Sequence, residues 1–167
     1  ILEGYADVRV VAWSLGVWAA SALMASIPRL GADAVAVNGT PFPVDDARGI
    51  PTAIFQGTLE GLSVETLARF DRRMCADAAT LAAYNGVHPA RDIASLIREL
   101  AAVGQASSDS AVNPRFRRAY AGQRDAIFPF RNQTAAWQGL CEVEVSDAAH
   151  YAPELLRTLV CGGGDHG

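Results

Sequence analysis

A single residue, Ser14, separates a β-branched run from an alanine-rich one, and that junction constrains the fold more than any other feature. Val8-Arg9-Val10-Val11-Ala12-Trp13 is mostly apolar, as expected of a strand covered on both faces. Leu15 to Ser26 is rich in alanine and free of proline, which predicts a buried helix ended by Ile27-Pro28. Ala34 to Val37 is a second short buried strand, broken by Asn38-Gly39-Thr40-Pro41. Strand, helix and strand within about thirty residues make a βαβ unit and favour a parallel sheet. The fold class is therefore α/β.

The middle of the chain changes character. Ser63 caps a predicted helix that runs through Asp77, with Glu65 in its first turn favouring the helix dipole. A shorter helix from Ala78 to Tyr84 ends at Asn85-Gly86. After Pro89, Ile93, Leu96, Ile97, Leu100 and Val103 recur at helical spacing. From about 60 to 105 the chain reads as helical, an insertion between sheet strands. Strand character returns at Arg117 to Ala121, followed by a helix over Gln133 to Leu140, a strand over Glu142 to Val145 and a closing helix over Tyr151 to Val160.

At 167 residues, with 50% apolar and 19% charged content, this is expected to be one globular domain spanning 1–167. A net charge of -4 excludes a global electrostatic pull toward nucleic acid or an anionic membrane. No stretch of eighteen apolar residues is present to span a bilayer. Cys75, Cys141 and Cys161 are far apart and form no C-x-x-C pair, which excludes a disulfide scaffold or zinc knuckle and suits a reducing cytoplasm. The chain opens Ile1-Leu2-Glu3-Gly4, without methionine or a charged leader, so no signal peptide is expected and its beginning reads as missing.

Ala12-Trp13-Ser14-Leu15-Gly16 has the context of a nucleophile elbow, a sharp turn that exposes a serine hydroxyl at the carboxyl edge of a sheet. Ala12 stands where the usual pattern has its first glycine. Small residues at 12 and 16 are expected to let strand and helix approach closely. The bland alternative is an ordinary helix N-cap. A serine nucleophile needs an imidazole to take its proton and a carboxylate to orient that imidazole, and on such a sheet the chain order is serine, acid, histidine. Of three histidines, His88 lies in a helix-helix loop, His166 lies beyond three glycines, and His150 follows a strand. Elimination favours His150. Asp125, in the turn after the preceding strand, is the preferred acid, with Asp45, Asp46 and Asp147 as rivals.

Several stretches together resemble one esterase family. Ala12-Trp13-Ser14-Leu15-Gly16-Val17-Trp18-Ala19-Ala20, Asn38-Gly39-Thr40-Pro41-Phe42-Pro43 and Phe70-Asp71-Arg72-Arg73-Met74-Cys75 carry the likeness. Asp125-Ala126-Ile127-Phe128-Pro129, Asn132-Gln133, Trp137 and His150-Tyr151 continue it. The family is that of the BioG-type pimeloyl-[acyl-carrier-protein] methyl ester esterases of biotin synthesis. The resemblance implies an α/β-hydrolase-type parallel sheet with a helical lid insertion at about 60–105. The family's first strands, with the loop that supplies one oxyanion amide, have no counterpart here.

The implied reaction is hydrolysis of a pimeloyl methyl ester borne on acyl carrier protein. Ser14 would be the nucleophile, His150 the base, Asp125 the acid, and the Leu15 backbone N–H an oxyanion donor. Neither a metal nor an organic cofactor is required. Trp13, Phe70, Met74, Arg72 and Arg73 are candidate substrate-binding residues. Val64, Leu67, Phe70 and Met74 would line an acyl channel, or simply glue the lid down. The lid arginines Arg69, Arg72, Arg73, Arg91 and Arg98 could meet an acidic carrier protein, or form a solvated face. A broader carboxylesterase or thioesterase with the same triad, and a non-catalytic carrier-binding domain, are the competing readings.

Overall fold

In the structure, a computed structural model, residues 4–107 and 115–162 are described. His166 and most of the terminal glycine run lie outside them. The elbow region has the predicted elements, β1 (Arg9–Trp13) passing through Ser14 into α1 (Leu15–Ser26), but not the predicted burial. Only Ala12 of β1 is buried, and α1 buries one stripe because it covers a single face of the sheet. Val17, Ser21 and Met24, at i, i+4 and i+7, form the buried stripe of α1. Ile27, pushed out of the helical region by Pro28, ends it, and a 3-10 turn over Pro28–Gly31 leads to β2 (Asp33–Val37).

Among the described residues, four helices separate β2 from the next strand. They are α2 (Thr52–Glu60), α3 (Val64–Cys75), α4 (Ala78–Asn85) and α5 (Ile93–Ser107). The helical run therefore starts at Thr52 and not near 60. The start of α2 was hidden because its cap is non-local: the Thr52 N–H donates to Asp46 Oδ1 at 2.7 Å, across six residues. By contrast, α3 is capped as expected. Ser63 Oγ accepts from the Thr66 N–H while Thr66 Oγ1 accepts from the Ser63 N–H at 2.7 Å. Asp77 caps α4 in the same local manner.

Then come β3 (Arg118–Gly122), α6 (Phe130–Trp137), β4 (Glu142–Ser146) and α7 (Pro153–Cys161). The sixth helix starts three residues before Gln133 and stops at Trp137. Pro129 opens it, since a fixed φ suits a helix start, and its carbonyl accepts from the Asn132 and Gln133 N–H groups.

The four strands form one parallel sheet in chain order, β1-β2-β3-β4. Register sets Trp13 beside Val37, Val37 beside Tyr120, and Gly122 beside Ser146. The carboxyl ends of all four strands consequently fall on one edge. One buried cluster, including Val17, Met24, Ala36, Phe116 and Trp137, joins α1 and α6 to the sheet. A second, including Ile50, Phe55, Met74, Val103 and Phe128, lies among the helices beyond the carboxyl edge. Trp13 and Leu15 pack against this second cluster, which puts Ser14 where the two cores meet.

Candidate active site

Ser14 adopts φ 57° and ψ -132°, a conformation that L-residues occupy at a cost of about 1–3 kcal/mol and that is typical of functional turns. The neighbouring backbone enforces it. The Ser14 N–H donates to Val37 O at 3.1 Å, extending the ladder between β1 and β2, and Ser14 O accepts from the Val17 N–H at 3.0 Å. Gly39 closes the turn from outside: a Cβ there would lie 2.3 Å from Ser14 O. Gly16 does not play the packing part expected of it, because a Cβ at 16 would meet nothing within 4 Å. The close approach is made by Gly39, from the next strand's exit.

His150 sits on the loop after β4 with 1% of its surface exposed. Its carbonyl accepts from Trp13 Nε1 and from Asn38 Nδ2, both at 2.9 Å. Asn38 also donates to Ala149 O at 2.8 Å and accepts from the Gly122 N–H at 2.8 Å. One side chain thus ties the exits of β2, β3 and β4 together. The imidazole lies parallel to the Phe128 ring, 6.0 Å between centroids, with Trp13 tilted against it at 5.3 Å. The Tyr151 N–H donates to Met74 O at 3.1 Å, linking this loop to α3.

Asp125 is buried in the turn after β3. Its Oδ1 accepts from the Ile127 and Phe128 N–H groups at 2.8 and 2.9 Å, an Asx-type turn. Its Oδ2 faces His150 Nδ1 at 2.9 Å, and His150 Nε2 faces Ser14 Oγ at 2.9 Å. A carboxylate can only accept, so Nδ1 carries the proton and Nε2 presents its lone pair to the serine hydroxyl. This is the arrangement that general-base activation of a serine requires.

The rivals are engaged elsewhere. Asp45 binds Arg48 and the N–H groups of Ala47 and Arg48; Asp46 caps α2; Asp147 pairs with Arg124 at 3.0 Å. His88 stacks on Tyr84 at the surface. Cys75 is no competing nucleophile: burial pushes its thiol up from the usual range, and the carboxylates of Asp71 and Asp77 push further.

Beside Ser14 opens a cavity of about 300 Å³. Of the candidate substrate residues, Trp13, Phe70, Arg73 and Met74 line it, as do Leu15 and Leu67. Arg72 does not. Val64, expected along the same channel, points to solvent with 69% of its surface exposed. It occupies the first turn of α3, beyond the reach of the cavity wall. Leu15 is the first residue of α1, so its N–H has no acceptor within that helix. Among the described residues, no three acidic, cysteine or histidine side chains are arranged to hold a metal ion. No described helix is long and apolar enough to cross a membrane.

A family model described as "Pimeloyl-ACP methyl esterase BioG" matches residues 2–157, and the chain belongs to the BioG family. Its α/β fold is shared with a solved structure, BioG from Haemophilus influenzae, at a TM-score of 0.84 and 39% identity, covering 91% of this chain and 71% of that one. A curated relative from the same species, named only as an uncharacterized protein, is 40% identical over 90% of this chain and 69% of its own. A third relative, from Bacteroides fragilis (strain 638R), is 42% identical over 94% of this chain and is named malonyl-[acyl-carrier protein] O-methyltransferase. The chain spans about a third of that relative, 32% of its length.

That last name overturns the expected reaction. O-methylation forms a methyl ester, whereas the sequence reading, like the family's description, has one cleaved. The expectation of an ester hydrolase acting on pimeloyl-[acyl-carrier protein] methyl ester is therefore withdrawn. The residues that led to it do not themselves name a reaction. A serine, a histidine and an aspartate specify how a nucleophile is activated, and leave open both the group attacked and the acceptor.

Proposed function

We propose that this chain performs covalent acyl transfer through Ser14, on an acyl group presented by an acyl carrier protein in biotin synthesis. The observation that carries the reading is the relay from Asp125 Oδ2 through His150 to Ser14 Oγ, with 2.9 Å at each step, beside an apolar cavity. The carrier is supported by the relative named for a malonyl carrier substrate and by the family's own description. In this reading the chain is one α/β-hydrolase-type domain, and α2 to α5 cover the acyl group as a lid.

Ser14 Oγ attacks the acyl carbonyl as His150 Nε2 takes its proton. The Leu15 N–H, at the positive end of α1, faces the developing oxyanion. Collapse expels the donor's leaving group, which receives the proton from His150, and leaves an acyl-Ser14 ester. His150 then takes a proton from an incoming acceptor hydroxyl, which displaces Ser14 and carries off the acyl group. Asp125 keeps its hydrogen bond to His150 Nδ1 throughout and steadies the imidazolium.

The test is intact-mass spectrometry of the chain rapidly mixed with acyl carrier proteins bearing malonyl or longer dicarboxylic acyl groups, free or methylated. An acyl mass on wild type that maps to Ser14 and is absent from Ser14→Ala is expected. Methyl transfer from S-adenosylmethionine to malonyl carrier, with no acyl mass on Ser14, would overturn the reading.

A further inference from the structure

Gln133 on α6 is wholly buried, yet its Oε1 has no hydrogen-bond partner among the described residues. A buried amide left half-satisfied requires a reason. Its other half supplies one. Gln133 Nε2 donates to Asp125 Oδ2 at 2.9 Å and to Phe128 O at 2.8 Å. Both neighbours are acceptors, so the amide has one workable orientation: a flip would set its oxygen against a carboxylate and a carbonyl.

Asp125 Oδ2 therefore receives two donors, Gln133 Nε2 and His150 Nδ1, while Oδ1 receives the two turn N–H groups. The carboxylate is planar, so a χ2 rotation within its broad well carries Oδ2 off the imidazole only by also straining the two turn bonds to Oδ1, which act on the far oxygen. The Gln133 amide adds a restraint on Oδ2 itself, the oxygen that meets the imidazole. The geometry points to Gln133 as a positioning residue, holding Asp125 Oδ2 on His150 Nδ1 and thereby aiming Nε2 at Ser14. Its consequence for reactivity rests on the acyl-transfer reading of Ser14; its hydrogen-bond geometry does not.

The experiment compares the rate at which a fluorophosphonate labels Ser14 in four proteins: wild type, Gln133→Met, Asp125→Asn and the double variant. The downfield proton resonance of His150 Nδ1–H is recorded for wild type and Gln133→Met. Gln133→Met should slow labelling roughly tenfold to a hundredfold, as removing a supporting partner of a site ligand does. In the Asp125→Asn background the same change should matter by less than about twofold, because Gln133 acts through Asp125. The Nδ1 resonance should broaden or vanish in Gln133→Met. An equal loss in both backgrounds, or none in wild type, would overturn the assignment. If Gln133→Met does not fold, Gln133→Asn, with its amide on a shorter stem, serves the same comparison. Wild type that fails to label would defeat the acyl-transfer reading instead, and the Nδ1 resonance would still decide whether Gln133 positions Asp125.

Discussion

Ser14 holds its φ of 57° because Gly39 leaves room for it, and the two residues should fail together. In Gly39→Ala, a methyl group 2.3 Å from Ser14 O must displace backbone, at a cost of about 1–3 kcal/mol. Urea unfolding should report that loss, and fluorophosphonate labelling of Ser14 should slow. Unchanged stability and labelling would show that the turn has slack. Asn38 is the second such residue, since it binds Gly122, Ala149 and His150 at once. Asn38→Ala leaves a buried N–H without its acceptor, a loss of about 1–3 kcal/mol. It should also slow Ser14 labelling far more than Asn132→Ala. Asn132 Nδ2 donates to Asp46 O and Gly49 O, and so fastens a different loop. Equal effects of the two on labelling would remove Asn38 from the support of His150.

At the scale of elements, the structure beyond the sheet edge depends on carboxylates that titrate, one at a helix cap and one in a turn. Asp77 is held below the usual carboxylate range, first by the Thr80 N–H and then by the Thr80 hydroxyl. Burial pushes Asp45 up, but its bonds to Arg48 and to the N–H groups of Ala47 and Arg48 outweigh this, and the net direction is down. For both, the folded state favours the ionised form. Their contribution is present above the unfolded carboxylate pKa of about 4 and is lost as pH falls through the lower folded values. Asp77→Asn keeps a capping oxygen without the charge, so the fall of Tm below pH 4 should be shallower than in wild type. Asp71 runs the other way: burial raises it, with His88 and Arg72 offsetting only part. Its ionised form is penalised on folding, so the penalty is full above the folded pKa and disappears as the group protonates. Asp71→Asn should therefore raise Tm at pH 7 and lose that advantage toward pH 4; a Tm at pH 7 no higher than wild type would contradict the sign. Ser63→Ala, which breaks the reciprocal cap of α3, should cost about 1 kcal/mol in chemical denaturation.

For the molecule as a whole, a net charge of -4 opposes an acidic carrier, so any attraction must be local. Arg72 and Arg73 close α3, where the helix dipole also favours cations, and Arg73 reaches the cavity wall. Reversing both to glutamate should slow acylation of Ser14 from a carrier-bound donor, while a small soluble acyl ester acylates it nearly as before. Added salt should weaken the carrier reaction in the same sense by screening the encounter. Equal losses with both donors would assign these arginines to folding instead.

What the chain dictates locally could be read locally. The alternation from β-branched to alanine-rich sequence around Ser14 fixes a strand, a turn and a helix, because each depends on neighbours within four residues. The cap at Ser63 is legible for the same reason, whereas Asp77, read as the end of that helix, proves to cap the next one. Asp125 and His150 could be chosen by their place after strands, since a parallel sheet in chain order collects every strand exit on one edge. The cap of α2 by Asp46, the closing of the elbow by Gly39 and the bracing of Asp125 by Gln133 could not. Asn38-Gly39 reads along the chain as a strand breaker, Gln133 as the first residue of a helix, and Asn132-Gln133 as part of the family likeness without a stated role. Each gains its role from a partner outside its own turn of chain, six residues away for Asp46 and eight for Gln133, and the Asn38 bond to Ala149 spans 111. A hydrogen bond of that span is set by the packing of one element on another, and packing is decided only when the whole sheet and its helices are assembled.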